Sequence, residues 1–289
     1  MTRANGVTEC PIAGNGGTRV YTFVANEHGT SWYHSHYSAQ YGDGIVGQIQ
    51  INGPATADYD IDLGTLPIQD FYYKTMYVEG LAAGTTGPPK ADNMLINGTN
   101  MNVAGTTGSY SITTLTSGSK HRVRLINTSV ESSFYVSLDG HTLEVIEADF
   151  VPIVPYNTTW IFLAIGQRYD VIVNANQTLG NYWFRVKYAT GCGTNANTNI
   201  RAIFNYDSVT VANPTSTAAT QPLTACADET NLVPYNAKSV NSSQFDFDVS
   251  YTSYPSFVNK ILTSFSRLLV LTLLETRSKI LQPTYSCGA

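Results

Sequence analysis

The chain has 289 residues, with 13% charged and 43% apolar side chains, which is too apolar for a disordered chain and enough for a sizeable core. Lys and Arg number 16 against 21 Asp and Glu, and the formal charge of −5 offers no electrostatic handle to a nucleic acid or an anionic membrane. At about 100 to 200 residues per domain, the length implies two domains or one large β domain.

From Thr18 to about Tyr206, short β-type runs alternate with Gly, Pro, Asn and Thr clusters, the pattern of a sandwich or barrel. In chain order the runs are residues 19–24, 45–51, 122–126, 143–148, 160–164, 169–173 and 182–188. In the second of them Ile45, Gly47, Ile49 and Ile51 alternate with Val46, Gln48 and Gln50, as on a strand with two unlike faces. No stretch before residue 255 carries sustained helical periodicity, so the predicted architecture is antiparallel and all-β.

The segment Asn52-Gly-Pro-Ala-Thr-Ala reads as an inter-domain turn, dividing residues 1–56 from a second block at 57–207. Residues 208–243, rich in Thr, Ala, Pro and Asn, read as a linker draped over the surface, followed by a short block at 244–259. The composition then changes: residues 260–281 hold seven Leu, against twelve in the preceding 259, so the tail at 260–289 does not share the β pattern. Its apolar run, 261–274, contains Arg267 and is too short for a hydrocarbon core of ~30 Å, so no membrane span is expected.

The first ten residues lack the apolar stretch of a secretory signal. Five Asn-x-Ser/Thr sequons, at Asn97, Asn127, Asn157, Asn176 and Asn241, nevertheless point to a secreted, extracellular glycoprotein. The cysteines, Cys10, Cys192, Cys226 and Cys287, permit three pairings and include no Cys-x-x-Cys. Cys192 and Cys226 flank a polar stretch, and a disulfide stapling that loop is the favoured pairing, with free buried thiols as the alternative.

The segment richest in chemistry runs from Ser31 to Gly47. His34 and His36 follow a β-type run, and side chains two apart on a strand project from one face. Imidazole is a good ligand for copper, zinc, iron or nickel, and such a pair can give one nitrogen to each of two neighbouring ions or two to one ion. Two ligands complete no such site. Taken without context, a surface or hydrogen-bonded histidine pair would be the plainer reading.

The longer run HSHYSAQYGDGIVG, His34 to Gly47, resembles the second copper-binding motif of the multicopper oxidases, and of fungal laccases in particular. Residues 5–13 resemble the segment before that motif in ascomycete laccases, and Asp92-Asn-Met-Leu-Ile-Asn-Gly-Thr99 resembles a strand and turn of their second domain. Residues 121–127, 139–146 and 166–170 follow in the family's order, so the resemblance spans about 5–258.

The resemblance implies cupredoxin-like Greek-key β-sandwiches: the later part of a first domain, a complete second domain, and the opening of a third at 244–259. It implies copper as cofactor, four ions in the complete enzyme, with His34 and His36 each ligating one of a coupled pair. It also implies one-electron oxidation of phenols or aromatic amines with reduction of dioxygen to water. Glu131 matches a pocket carboxylate that accepts a hydrogen bond from the phenol hydroxyl, which suits a reaction that releases a proton. Pro88 and Gly87 match a loop of the same pocket, although an ordinary turn would explain them as well. Asp43, Gly42, Gly44 and Gly47 match the copper motif, and turn geometry with an outer hydrogen bond suffices for them. Cys192 and Cys226 match a family disulfide, and Cys10 matches a cysteine that bridges to the far C-terminus. His28, His121 and His141 are read as structural.

The upstream His-Trp-His-Gly motif and the downstream His-Cys-His motif are absent from the sequence. Without them neither the copper cluster nor the electron entry can be completed, so this polypeptide alone is expected to lack oxidase activity. Two competing readings are another multicopper oxidase, of ferroxidase or ascorbate oxidase type, and a non-catalytic extracellular β-sandwich module.

Overall fold

The computed structural model describes residues 12–221 and 226–239, so Cys10, Asn241 and the blocks at 244–259 and 260–289 lie outside the described residues. Two strands, β1 (Gly29–His34) and β2 (Val46–Ile51), form an antiparallel hairpin in which Thr30 faces Gln50 and His34 faces Val46. The remaining strands build a sandwich. One sheet has six strands in the order β4 (Asn93–Ile96), β3 (Ile61–Phe71), β6 (Lys120–Asn127), β11 (Arg168–Asn174), β8 (Leu143–Ala148), β9 (Val151–Thr158). The other has five, in the order β10 (Ile161–Leu163), β7 (Phe134–Leu138), β12 (Asn181–Tyr188), β13 (Ile200–Tyr206), β5 (Ile112–Leu115).

Alternation along the strands explains why the two sheets face each other. In β6, Val123 and Leu125 enter the apolar core with Phe134, Val136, Phe184 and Phe204 of the opposite sheet. The intervening Arg122 and Arg124 point the other way and are equally buried. β11 repeats the pattern, with Tyr169, Val171 and Val173 in the core and Asp170 beside the arginines. The centre of this sheet is therefore covered on both faces. Its second cover includes the β1 end of the hairpin.

That second face holds a buried ionic cluster. Asp170 accepts from Arg122 Nε and from Arg124 Nη1, each at 2.8 Å, and from the Thr30 hydroxyl. Arg122 also reaches Glu147 at 3.0 Å, and Arg124 Nη2 reaches Asp62 at 2.6 Å. Burial and then the neighbouring Asp170 charge push the Glu147 carboxyl up to about 7, despite the two arginines. Asp62 is also partly buried, but bonds from Arg124 and the Gly64 amide outweigh that and hold its carboxyl below the usual range. Thr30 places the hairpin in this network, because its hydroxyl also accepts from Arg124 Nη1 at 3.0 Å.

Two expectations are corrected, the strand at 19–24 and the purely antiparallel pairing. Residues 19–24 form no strand; Val20 and Val24 are 82% and 77% exposed, so this β-type run has no ladder to join among the described residues. The all-β architecture holds, with one short helix, α1 (Met76–Thr86), which buries only Met76 and holds Gly80 and Gly84 in its interior, so its sequence carries no helical stripe. Two strand pairs, β3 with β6 and β5 with β13, are parallel. Residues 208–221 and 226–237 lie against the sandwich through specific bonds: Ser216 Oγ to Asp139 at 2.7 Å, Trp160 Nε1 to the Ala219 carbonyl at 3.2 Å, and Val154 N to the Val233 carbonyl at 2.8 Å.

Candidate copper-motif site

His34 is the last residue of β1, and the chain leaves the ladder after Ser35 N donates to the Ile45 carbonyl at 2.9 Å. His36 therefore lies beyond the strand, in the approach to a turn over residues 38–44. The expected same-face placement along one strand is replaced by a turn that still holds the two rings 5.7 Å apart, centroid to centroid, at 54°. Both imidazoles are exposed. His34 Nδ1 lies 3.0 Å from the Ser35 carbonyl, which can only accept, so Nδ1 is the donor and in the neutral ring Nε2 is the nitrogen left for a metal.

The His34 ring is flanked by Trp32 at 4.8 Å and Tyr41 at 4.7 Å. Trp32 Nε1 donates to the Gly166 carbonyl at 3.3 Å, and the Tyr41 hydroxyl donates to the Ser129 carbonyl. Burial and then the Asp70 charge push the Tyr41 phenol far above its ordinary value, so it remains a donor. Both bonds run from the motif hairpin to loops of the sandwich.

The turn itself is seated on the sandwich edge. Ala39 packs with Tyr72, Met76, Ala91 and Val130 in a small apolar cluster. A Cβ on Gly42 would stand 2.4 Å from Met76 Cγ, so glycine is required there by close approach. Asp43 Oδ1 accepts the Met76 amide at 2.7 Å and serves as a cap for α1, whose own N-cap residue Thr75 makes no side-chain bond.

Glu131 sits half-buried in the loop after β6, next to this turn. Asp70 holds the loop by accepting the Val130 and Glu131 amides at 2.9 Å each. On the opposite side, a Cβ on Gly193 would stand 2.5 Å from the Glu131 carbonyl oxygen. Gly193 follows Cys192, which is bonded to Cys226 with Cα atoms 5.8 Å apart. The same loop pairs with Ala91, whose amide donates to the Thr194 carbonyl at 3.0 Å. Pro88 is exposed in the segment between α1 and Ala91. The disulfide loop thus touches the Glu131 loop on one side and Ala91, three residues after Pro88, on another.

Asn127 must be removed from the expected glycan acceptors. Its side chain is fully buried and its amide group donates to the Ser132 carbonyl at 3.0 Å and the Leu163 carbonyl at 3.1 Å, leaving no room for a sugar. Asn97, Asn157 and Asn176 are exposed. Asn157 and Asn176 line a polar groove of about 440 Å³, together with Lys120 and Glu144.

His121 and His141 are buried, and in both burial comes first among the causes that lower the imidazole below its ordinary value. His141 bonds the Asp139 carbonyl at 2.8 Å and the Tyr206 hydroxyl at 3.0 Å, and His121 Nε2 accepts the Thr116 amide at 3.0 Å. No group of three or more His, Cys, Asp or Glu side chains among the described residues could close a metal site. Sequence reasoning missed Asp70, Tyr41 and Trp32. The available signal for the first was an aspartate beside Ile68 and Phe71 near the end of β3.

A two-sheet sandwich of this strand order, carrying a His-x-His turn on its edge, is of cupredoxin-like class. A sequence profile described as multicopper oxidase matches residues 62–209, and a second with the same description matches residues 3–56. The chain belongs to the multicopper oxidase family. It is 54% identical to Laccase-3 of Botryotinia fuckeliana over 235 residues, which is 80% of this chain and 51% of that protein. It is 50% identical to a laccase of Cryphonectria parasitica, over 83% of this chain and 41% of that protein. Among solved structures, the laccase of Botrytis aclada superposes with a TM-score of 0.74 at 45% identity, over 80% of this chain and 45% of that one. Fet3p, a multicopper oxidase that functions in iron import, superposes at 0.65 with 24% identity, a likeness of fold alone. The chain spans about half the length, or less, of the curated relatives it matches.

Proposed function

We propose that this chain is part of a laccase-type multicopper oxidase that oxidises phenols or aromatic amines one electron at a time and reduces dioxygen to water. The observation that carries the reading is the seating of the His34–His36 turn against the loop that bears Glu131, through Tyr41 and the apolar cluster around Met76. The donor set suits copper: two exposed imidazoles, with the proton of His34 on Nδ1 and its other nitrogen open. Copper, when bound, would supply the one-electron redox chemistry. His34 and His36 would each hold one ion of a pair, and the remaining ligands would come from other parts of the oxidase. Glu131 would accept the phenolic hydrogen bond and take the proton released, with Pro88 lining the same pocket.

The parent protein is read as secreted, with glycans at Asn97, Asn157 and Asn176. No helix among the described residues is long and apolar enough to cross a membrane. The laccase reading is favoured over a ferroxidase by identities of 50% and 54% to laccases, against 24% to the iron-import oxidase.

The deciding experiment replaces His36 by alanine in the copper-loaded oxidase that contains this sequence. Dioxygen consumption should be abolished and copper content should fall. Unchanged turnover would show that His36 is not a ligand. The 289-residue chain by itself should oxidise no phenol.

A further inference from the structure

We propose that Asp70 is a positioning residue for the Glu131 carboxylate, acting through the two consecutive amides at the base of that side chain. The inference rests on the reading of Glu131 as the group that faces the phenol. Asp70 is 2% exposed near the end of β3. Its Oδ1 accepts the Val130 amide and its Oδ2 the Glu131 amide, both at 2.9 Å. Two adjacent N–H groups directed at one carboxylate fix the orientation of the peptide between them, and with it the direction in which the Glu131 side chain leaves the backbone. Bonds to an ionised acceptor are stronger than neutral ones and resist rotation of that peptide.

The carboxylate is itself held in place. Ser129 Oγ accepts the Asp70 amide at 3.1 Å, and the Tyr72 hydroxyl donates to Oδ2 at 3.3 Å. Gly193 closes the far side of the loop at a distance no side chain would allow. Tyr41 of the copper motif donates to the Ser129 carbonyl, so the motif turn and the Glu131 loop share one anchor. Asp70 is buried behind the loop, and its oxygens are occupied by loop and Tyr72 donors, so its influence on a substrate must pass through Glu131. Asparagine at position 70 would keep the shape but set an NH₂ group against one of the two amides.

The test uses the copper-loaded oxidase that contains this sequence, with 2,6-dimethoxyphenol as a proton-releasing donor and ferrocyanide as a donor with no proton to lose. Glu131→Gln and Asp70→Asn should each raise KM for the phenol about tenfold, with KM for ferrocyanide and the copper absorption bands unchanged. The double variant should be no worse than Glu131→Gln, since the two residues act in series. In the 289-residue chain, Asp70→Asn should speed amide exchange at Val130 and Glu131 about tenfold and leave the β11 amides unchanged. If Glu131→Gln leaves the phenol KM untouched, the Glu131 reading fails and the inference falls with it. If Glu131→Gln acts but Asp70→Asn does not, or if their effects multiply, Asp70 has no positioning role. Should Asp70→Asn fail to fold, Ser129→Ala removes only the hydroxyl behind the Asp70 amide. It should raise the ratio of phenol to ferrocyanide KM about threefold, and an unchanged ratio would overturn the inference.

Discussion

Asp43 accepts the backbone amide of Met76 at 2.7 Å, so the helix that precedes the Pro88 segment starts on a carboxylate supplied by the copper motif. The two residues are 33 positions apart. α1 buries little of its own surface, and its register depends on this tether and on Met76 in the small apolar cluster. Replacing Asp43 by alanine should cost about 1 kcal/mol, with asparagine restoring most of it. Urea unfolding of the chain would measure both, and equal midpoints for wild type and Asp43→Ala would remove the cap from consideration.

Gly42→Ala should destabilise more, by about 1 to 3 kcal/mol, because the new methyl group would meet Met76 and Val130 in a filled space. A second substitution, Met76→Ala, should recover part of the loss by vacating that space. Additive costs in the double variant would mean that the contact is not the cause.

Glu147 gives stability an unusual pH dependence. Its folded value of about 7 lies above the ordinary 4.5, so the folded protein binds this proton more tightly than the unfolded chain does. The contribution is complete below about 4.5 and is lost as pH rises through about 7, at most about 3 kcal/mol. Glu147→Gln, which cannot titrate, should therefore gain on the wild type between pH 5 and pH 8. Parallel stability curves over that range would show that Glu147 is not the titrating group.

Glycan mapping by peptide mass spectrometry, after expression in a fungal secretory host, should find sugar on Asn97, Asn157 and Asn176 and none on Asn127. Occupancy at Asn127 would contradict the bonds its amide makes to Ser132 and Leu163 in the folded protein.

The strands of the sandwich were legible because alternation and β-branched content are local properties; residues 122–126, 143–148, 169–173 and 182–188 all fall inside strands. The helix was not, since what holds it is Asp43, a distant residue, and no periodicity of its own. Residues 19–24 have the composition of a strand, but a ladder needs a partner that local sequence does not reveal. His34 and His36 were visible through a motif, whereas Asp70 and Tyr41 act through partners 88 or about 60 residues away and leave no local pattern. Asn127 shows the same limit: three residues make a sequon, but burial is decided by the whole sandwich.

The Thr30 hydroxyl, which donates to Asp170 and accepts from Arg124, bears on how such oxidases can be recombined. A chimera joined at the turn over residues 52–57 would bring in a foreign hairpin against two buried guanidiniums. Unless that hairpin carries a hydroxyl at the position of Thr30, Asp170 and Arg124 each lose a buried partner, at a cost of about 1.5 to 3 kcal/mol. Productive crossovers in this family should therefore keep the copper hairpin together with strands β6 and β11, although Thr30 lies 94 positions from Arg124 and 140 from Asp170 in sequence.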